Sequence, residues 1–166
     1  KINKDEARNR ELTAYGRCDF RNGTDTVSAY EQIQLYNCYY MRRAYSAARA
    51  LFESNGGWLF SAVRNLSGRV VFCDLSYETG ASGLAFIDAC RRLPHLDLTY
   101  MGIYPTKEMD DIALQFFQSE AYHHATHCFY PRISAVPASF WAAHAVLSEL
   151  IIFNVSSLFD RISVRE

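Results

Sequence analysis

The sequence lacks any apolar stretch long enough to cross a bilayer. A membrane-spanning helix needs roughly 20 consecutive apolar residues, and the apolar runs in these 166 residues are short and interrupted. The N-terminal region is polar and does not have the pattern of a signal peptide. We therefore expect a cytoplasmic protein with no membrane contact.

The chain also lacks an excess of either charge. Its 17 Lys and Arg residues and 18 Asp and Glu residues give a formal net charge of −1. This balance excludes a globally basic surface, so any contact with RNA or DNA would need a local patch. With 49% hydrophobic and 21% charged residues, the composition is typical of a globular domain with a sizeable core.

The spacing of the cysteines and the absence of the usual catalytic signatures exclude several classes of site. None of the 5 cysteines forms a CxxC pair, and scattered, odd-numbered cysteines favour buried reduced thiols over a disulfide framework. We find no P-loop, no local Ser-His-Asp or Cys-His signature and no internal repeat. His123 and His127 have the i, i+4 spacing of zinc ligands, but no HExxH glutamate accompanies them. We expect no metal site.

What the sequence does contain is an alternation of strands and helices. We expect a helical N-terminal segment over 1–57 and a Rossmann-like domain over 58–166. The N-terminal segment contains one long helix over 28–54, whose apolar face carries Ile33, Tyr36, Tyr40, Ala44, Ala47 and Leu51. The predicted strands of that domain are 69–75, 96–104, 127–134 and 150–155. Strands separated by helices predict an α/β fold, with a mostly parallel sheet of about four strands and helices on both faces. The third strand should lie at an edge, and the fourth should return beside the first, which creates a switch point where ligands bind.

The turn after the first strand has the form of a cofactor loop. Asp74 follows a buried apolar run, and Gly80 precedes a helical segment. Glycines in such a turn let the backbone approach a cofactor closely. Ser76 and Glu78 stand at two positions where glycine is preferred. Glu78 would also bring a carboxylate near the carboxylate of a cofactor.

With these segments, residues 39–161 resemble a class I S-adenosylmethionine-dependent methyltransferase. The acidic and apolar pair Asp74-Leu75 matches the start of the family's glycine-rich loop, and Gly80 matches its third glycine. Residues 101–106 are similar to the end of the family's second strand, with Tyr104 in place of an acid. The resemblance implies that this acid would hold the ribose, so its loss would cost about 1.5–3 kcal/mol, or roughly 10- to 150-fold in affinity.

The resemblance extends to the fourth strand and assigns a pocket. Residues 150–158 are similar to the strand that lines the family's methyl-transfer cleft. The implied cofactor-pocket positions are Asp74, Ser76, Glu78, Gly80, Tyr104 and Asn154. We expect a non-catalytic methyltransferase-like domain without a cofactor, acting as a structural or recognition element in a larger assembly. The alternatives are an active enzyme that binds S-adenosylmethionine in an atypical pocket, and a sensor for another nucleotide.

Two kinds of partner are expected. The family's sheet normally continues with three more strands, so we expect a protein partner or a further chain to cover the edge beside strand four. Residues 39–45 interleave tyrosines with Arg42 and Arg43, and Arg49 follows. Such a segment could bind RNA or DNA through phosphate contacts and stacking. It could equally be an amphipathic helix with packed tyrosines and solvated arginines.

Overall fold

The computed structural model of the chain describes residues 6–13, 20–65, 68–75, 78–91, 93, 95–103, 106–146 and 150–155. The helices within these residues are α1 (Glu6–Leu12), α2 (Ala29–Tyr36), α3 (Arg42–Ser54), α4 (Gly56–Asn65), α5 (Ala81–Cys90), α6 (Lys107–Phe117) and α7 (Ala138–Val146). The strands are β1 (Arg69–Asp74), β2 (Asp97–Ile103), β3 (Thr126–Tyr130) and β4 (Leu150–Asn154). A π-helical stretch, Asn37–Met41, joins α2 to α3, and a 3-10 turn, Ile133–Ala135, precedes α7.

The four strands form one open, all-parallel sheet in the order β3-β2-β1-β4. The predicted α/β class is therefore confirmed, with β3 at one edge and β4 returning beside β1. The register places Asp74, the last residue of β1, between Gly102 of β2 and Asn154 of β4. The switch point thus lies at the carboxyl ends of β1 and β4, where ligands bind in folds of this kind.

Alternating side chains of β1 face two hydrophobic clusters on opposite sides of the sheet. Val70 and Phe72 point into the larger cluster, which α5 and α6 cover together with α2 and α3. Val71 and Cys73 point into the smaller cluster, which includes Phe140 of α7. Every residue of β1 after its first is buried, as expected of a central strand with both faces covered.

The predicted long helix over 28–54 is interrupted, and its predicted buried face is wrong beyond the interruption. The π-helical stretch inserts one extra residue, which rotates the following helix by one position. We expected Ala47 and Leu51 to face the core. Instead Tyr45 and Phe52 pack against it, and Leu51 is 59% exposed.

Close contact between α5 and β2 depends on a glycine that sequence reasoning left out. A Cβ atom added to Gly83 would lie 2.1 Å from the ring of Tyr100. Only glycine therefore lets α5 pack this closely on the buried tyrosine. The contact fixes the start of α5 relative to the carboxyl end of the sheet.

Candidate functional site

The carboxylate of Asp74 is the centre of a hydrogen-bond network at the switch point. Asp74 is 1% exposed. Its Oδ1 atom accepts a hydrogen bond of 2.9 Å from the side-chain amide of Asn154, and its Oδ2 atom accepts one of 3.3 Å from the hydroxyl of Tyr100. A buried carboxylate is costly unless it is hydrogen-bonded, and here both of its oxygens have partners within the protein.

Tyr100 reaches Asp74 because of the register of β2 on β1. Tyr100 lies beside Phe72, so its side chain is on the face of the sheet that Asp74 shares, two residues further along β1. Its ring stacks on Phe117 with a centroid distance of 4.3 Å. Sequence reasoning treats Tyr100 only as an apolar strand residue. A buried tyrosine needs a partner for its hydroxyl, and that need is the signal which could have linked it to Asp74.

Glu78 is held by the N-terminal helical region. Its backbone has the positive φ of 52°, and its carboxylate accepts a hydrogen bond from the hydroxyl of Tyr36. Tyr36 is the last residue of α2 and is buried. The bond therefore ties α2 to the turn that follows β1. Tyr36 was expected on the apolar face of its helix, but its polar contact was not foreseen.

The turn ends in a left-handed glycine. Gly80 has φ 84°, and a Cβ atom there would lie 2.7 Å from Cε2 of Phe117. Gly80 occupies the N-cap position of α5, and no side chain among the described residues caps this helix. Beside it, Thr79 is fully buried, and its hydroxyl has no hydrogen-bond partner in the described part of the chain. Thr79 is therefore a buried polar side chain of the site that lacks such a partner.

The cysteines next to the site are not activated nucleophiles. Burial, followed by the charges of Asp74 and Cys128, raises the pKa of the Cys73 thiol to about 12. Burial also raises the pKa of Cys128 to about 11. The thiolate is the reactive form of cysteine, so both side chains are protonated and inert at neutral pH.

The structure brings together four of the six predicted pocket positions. Glu78 and Gly80 lie in the turn after β1, and Asp74 and Asn154 are in direct contact at the strand ends. Ser76 and Tyr104 lie outside the described residues. The bond between Asp74 and Asn154 shows that these two predicted positions are direct neighbours across the sheet.

The predicted arginine segment runs from the π-helical stretch into α3, and its tyrosines are partly buried. Arg42 and Arg43 are exposed, and Arg49 forms a 2.8 Å ion pair with Glu53. Tyr40 stacks on Tyr36 at 5.7 Å, and Tyr45 donates a hydrogen bond to Asp88. Because these two tyrosines are engaged within the protein, the segment exposes its arginines to solvent and not a stacking surface.

Three further features concern metals and membranes. Among the described residues, no group of three or more His, Cys, Asp or Glu side chains is arranged to hold a metal ion. His123 lies in the loop after α6, and His127 lies in β3, so the two do not share a helix face. No helix in the part of the chain that the structure describes has the length and apolarity needed to span a membrane.

Comparisons of the chain with protein-family models, with curated proteins and with solved structures gave no significant match.

Proposed function

We propose that this chain is a non-catalytic methyltransferase-like domain that does not use S-adenosylmethionine and acts as a structural or recognition element in a larger assembly. The observation that carries the proposal is the bonding of Asp74. The acid that opens the family's cofactor loop is here bonded to Asn154 and Tyr100. It joins β1, β2 and β4 instead of being open to a ligand.

The contact of Glu78 with Tyr36 supports the same proposal. A ligand that bound to the turn at Glu78 would have to displace the hydroxyl of Tyr36 from the Glu78 carboxylate. A hydrogen bond to a charged group contributes about 1.5–3 kcal/mol, so its loss would weaken binding by roughly 10- to 150-fold. The carboxylate of Glu78 would in addition repel the carboxylate of S-adenosylmethionine.

The edge strand β4 supports a role in recognition. Among the described residues β4 pairs only with β1, and its segment Leu150–Asn154 carries no charge. Phe153 is 51% exposed and stacks on Trp141 of α7 at 6.3 Å. An uncharged apolar edge is a template for pairing with another strand. We propose that a protein partner or a further chain covers this edge, and that Arg42 and Arg43 contribute contacts if the assembly contains RNA or DNA.

Calorimetric titration of the chain with S-adenosylmethionine and with S-adenosylhomocysteine tests the proposal. We expect no saturable heat with either ligand up to about 1 mM, a concentration at which a site of micromolar affinity would be saturated. Saturable binding with a micromolar dissociation constant would overturn the proposal. Adenosine and methionine serve as matched control ligands, because each carries one half of the cofactor.

An active methyltransferase with an atypical pocket is the second candidate. It is favoured by the buried hydroxyl of Thr79, which has no hydrogen-bond partner among the described residues and lies beside the N-terminus of α5, because helix N-termini bind anionic groups. This candidate predicts that Gly80→Arg abolishes both cofactor binding and methyl transfer, whereas Gly57→Arg, in open space on α4, changes neither. Methyl transfer that survives Gly80→Arg would exclude it.

A further inference from the structure

A cleft of about 500 Å³ lies at the end of the sheet opposite Asp74. It is enclosed by the end of α5, the start of β2 and the loop after α6. Because the strands are parallel, this is the amino end of the sheet, remote from the switch point. Its volume is within the range of roughly 300–1,000 Å³ that is usual for small-molecule sites. No part of the function proposed above uses it.

The floor of the cleft is apolar. It consists of Ile87, Cys90, Leu93, Leu96 and Leu98. Burial raises the pKa of the Cys90 thiol to about 12, so this side chain is uncharged at neutral pH and behaves as a small apolar group. The floor would therefore accept an apolar molecular body.

The rim of the cleft is polar, and its central cation is held in place. Arg91 makes a 2.7 Å ion pair with Asp88 and donates a 3.1 Å hydrogen bond to the carbonyl of Ala121. Its guanidinium lies 5.8 Å from the centre of the Tyr122 ring. The ion pair and the hydrogen bond both use Nη2 of Arg91. The described residues provide no hydrogen-bond partner for its Nε or Nη1 atom. A guanidinium that is already ordered binds a planar carboxylate at a low entropic cost.

Asp88 orders the arginine through a wider network. Its Oδ2 atom accepts hydrogen bonds from the hydroxyls of Tyr45 and Tyr122, the second at 3.0 Å. His95 and His124 add two imidazoles to the rim, which also carries the carboxylate of Glu120, while the carboxylate of Asp88 is paired with Arg91. The rim thus offers several N–H donors around one fixed cation, which suits a ligand with one anionic group.

We propose that this cleft binds a small monocarboxylate with an apolar body, which lies on the floor while its carboxylate contacts Arg91, aided by His95 and His124. The proposal is independent of the function proposed above, because it concerns the other end of the sheet. It also does not depend on whether the chain binds S-adenosylmethionine.

Titration of the ¹⁵N-labelled chain with octanoate tests the proposal, with 1-octanol as the matched control that has the same body but no charge. We expect octanoate to shift the amide signals of the cleft residues and to bind about tenfold more tightly than octanol, as one charge-assisted hydrogen bond predicts. Shifts outside the cleft alone, or equal affinity for the two probes, would overturn the proposal.

Two variants sharpen the test. Ala121 is exposed at the mouth, so Ala121→Trp should block octanoate and lower its affinity more than tenfold. Ala47→Trp, on the exposed side of α3, should leave the affinity unchanged. Arg91→Gln should remove the preference for octanoate over octanol while octanol still binds. Unchanged octanoate binding in Ala121→Trp, or an unchanged preference in Arg91→Gln, would contradict the assignment.

Discussion

The side-chain amide of Asn154 donates a 2.9 Å hydrogen bond to the carboxylate of Asp74, which lies 80 residues earlier in the chain. The bond joins the carboxyl ends of β1 and β4 at the switch point of the sheet. Together with the bond from Tyr100, it accounts for both oxygens of a carboxylate that is almost fully buried. The side chain of Asp74 therefore links β1 to both of its neighbouring strands.

Replacing Asn154 should destabilise the fold. Asn154→Ala removes one donor from a buried carboxylate, which costs about 1–3 kcal/mol in the free energy of unfolding. Urea denaturation at pH 7 measures the change. Asp97→Asn is the control, because Asp97 is exposed and lies 3.7 Å from Arg69, a surface pair of the kind worth at most about 1 kcal/mol. Equal losses in the two variants would mean that the bond between Asn154 and Asp74 contributes nothing of its own.

Gly80 should tolerate no side chain. Gly80→Ala places a Cβ in a left-handed conformation, at a cost of about 1–2 kcal/mol. The same atom would approach the Phe117 ring to 2.7 Å and force it to move. We expect a total loss above about 2 kcal/mol, since overpacking adds roughly 1–3 kcal/mol.

The matched control for this substitution should change the stability of the chain in the opposite direction. Gly57 lies in α4 with no atom within 4 Å of an added Cβ. Gly57→Ala should therefore stabilise the chain by about 0.5–1 kcal/mol, because alanine is the better helix former. Thermal unfolding that showed the same direction of change for both variants would contradict this account of the turn.

The alternation of strands and helices predicted the architecture because it is a local property of the sequence. The buried run that became β1, the edge position of β3 and the return of β4 beside β1 were all expected and are confirmed. The face of α3 was not predictable in the same way. The π-helical turn over Asn37–Met41 shifts the spacing of the apolar residues by one position. A helical period that is continued across this turn therefore predicts the wrong buried face for α3.

The candidate site was only partly predictable for a different reason. Sequence position placed Asp74, Gly80 and Asn154 near the switch point, but their roles depend on which side chains meet across the sheet. The bonds from Tyr100 to Asp74 and from Tyr36 to Glu78 span 26 and 42 residues. Such long-range pairs leave no local pattern, and both tyrosines were assigned to packing alone.

The network around Asp88 predicts alkaline sensitivity. Burial, followed by the bond to Asp88, raises the pKa of Tyr122 above its ordinary value of 10.0. The folded state then holds this proton more tightly than the unfolded state, so the contribution of Tyr122 to the stability is full below pH 10 and is lost as the pH rises above it. Tyr122→Phe should flatten this decline in denaturation experiments between about pH 9 and 11.

A tyrosine outside this network provides the control for the pH experiment. Tyr30 is 42% exposed, and Tyr30→Phe removes one phenol from the surface of the chain without touching the contacts of Asp88. An alkaline decline in Tyr122→Phe as steep as that of the unaltered chain would show that the phenol of Tyr122 does not contribute to it. The buried thiols of Cys73 and Cys90, whose pKa values are about 12, contribute to the part of the decline that remains.

Any binding of nucleic acid should depend on the start of α3. The double substitution Arg42→Glu/Arg43→Glu should lower the affinity for a single-stranded RNA at least tenfold, measured by fluorescence anisotropy at low salt, because phosphate contacts dominate such binding. Arg64→Glu/Arg132→Glu alters the net charge equally at two other exposed positions. A similar loss in both double variants would point to net charge alone and would contradict a specific role for Arg42 and Arg43.

We propose that Asp74 serves the framework of the sheet and does not hold a cofactor. The side-chain amide signal of Asn154, which reports on the bond to Asp74, can be followed by nuclear magnetic resonance while S-adenosylmethionine is added. We predict that the signal neither shifts nor broadens up to about 1 mM ligand, where a site of micromolar affinity would be saturated. A saturable shift of that signal, with matching shifts at Gly80 and Thr79, would contradict the claim.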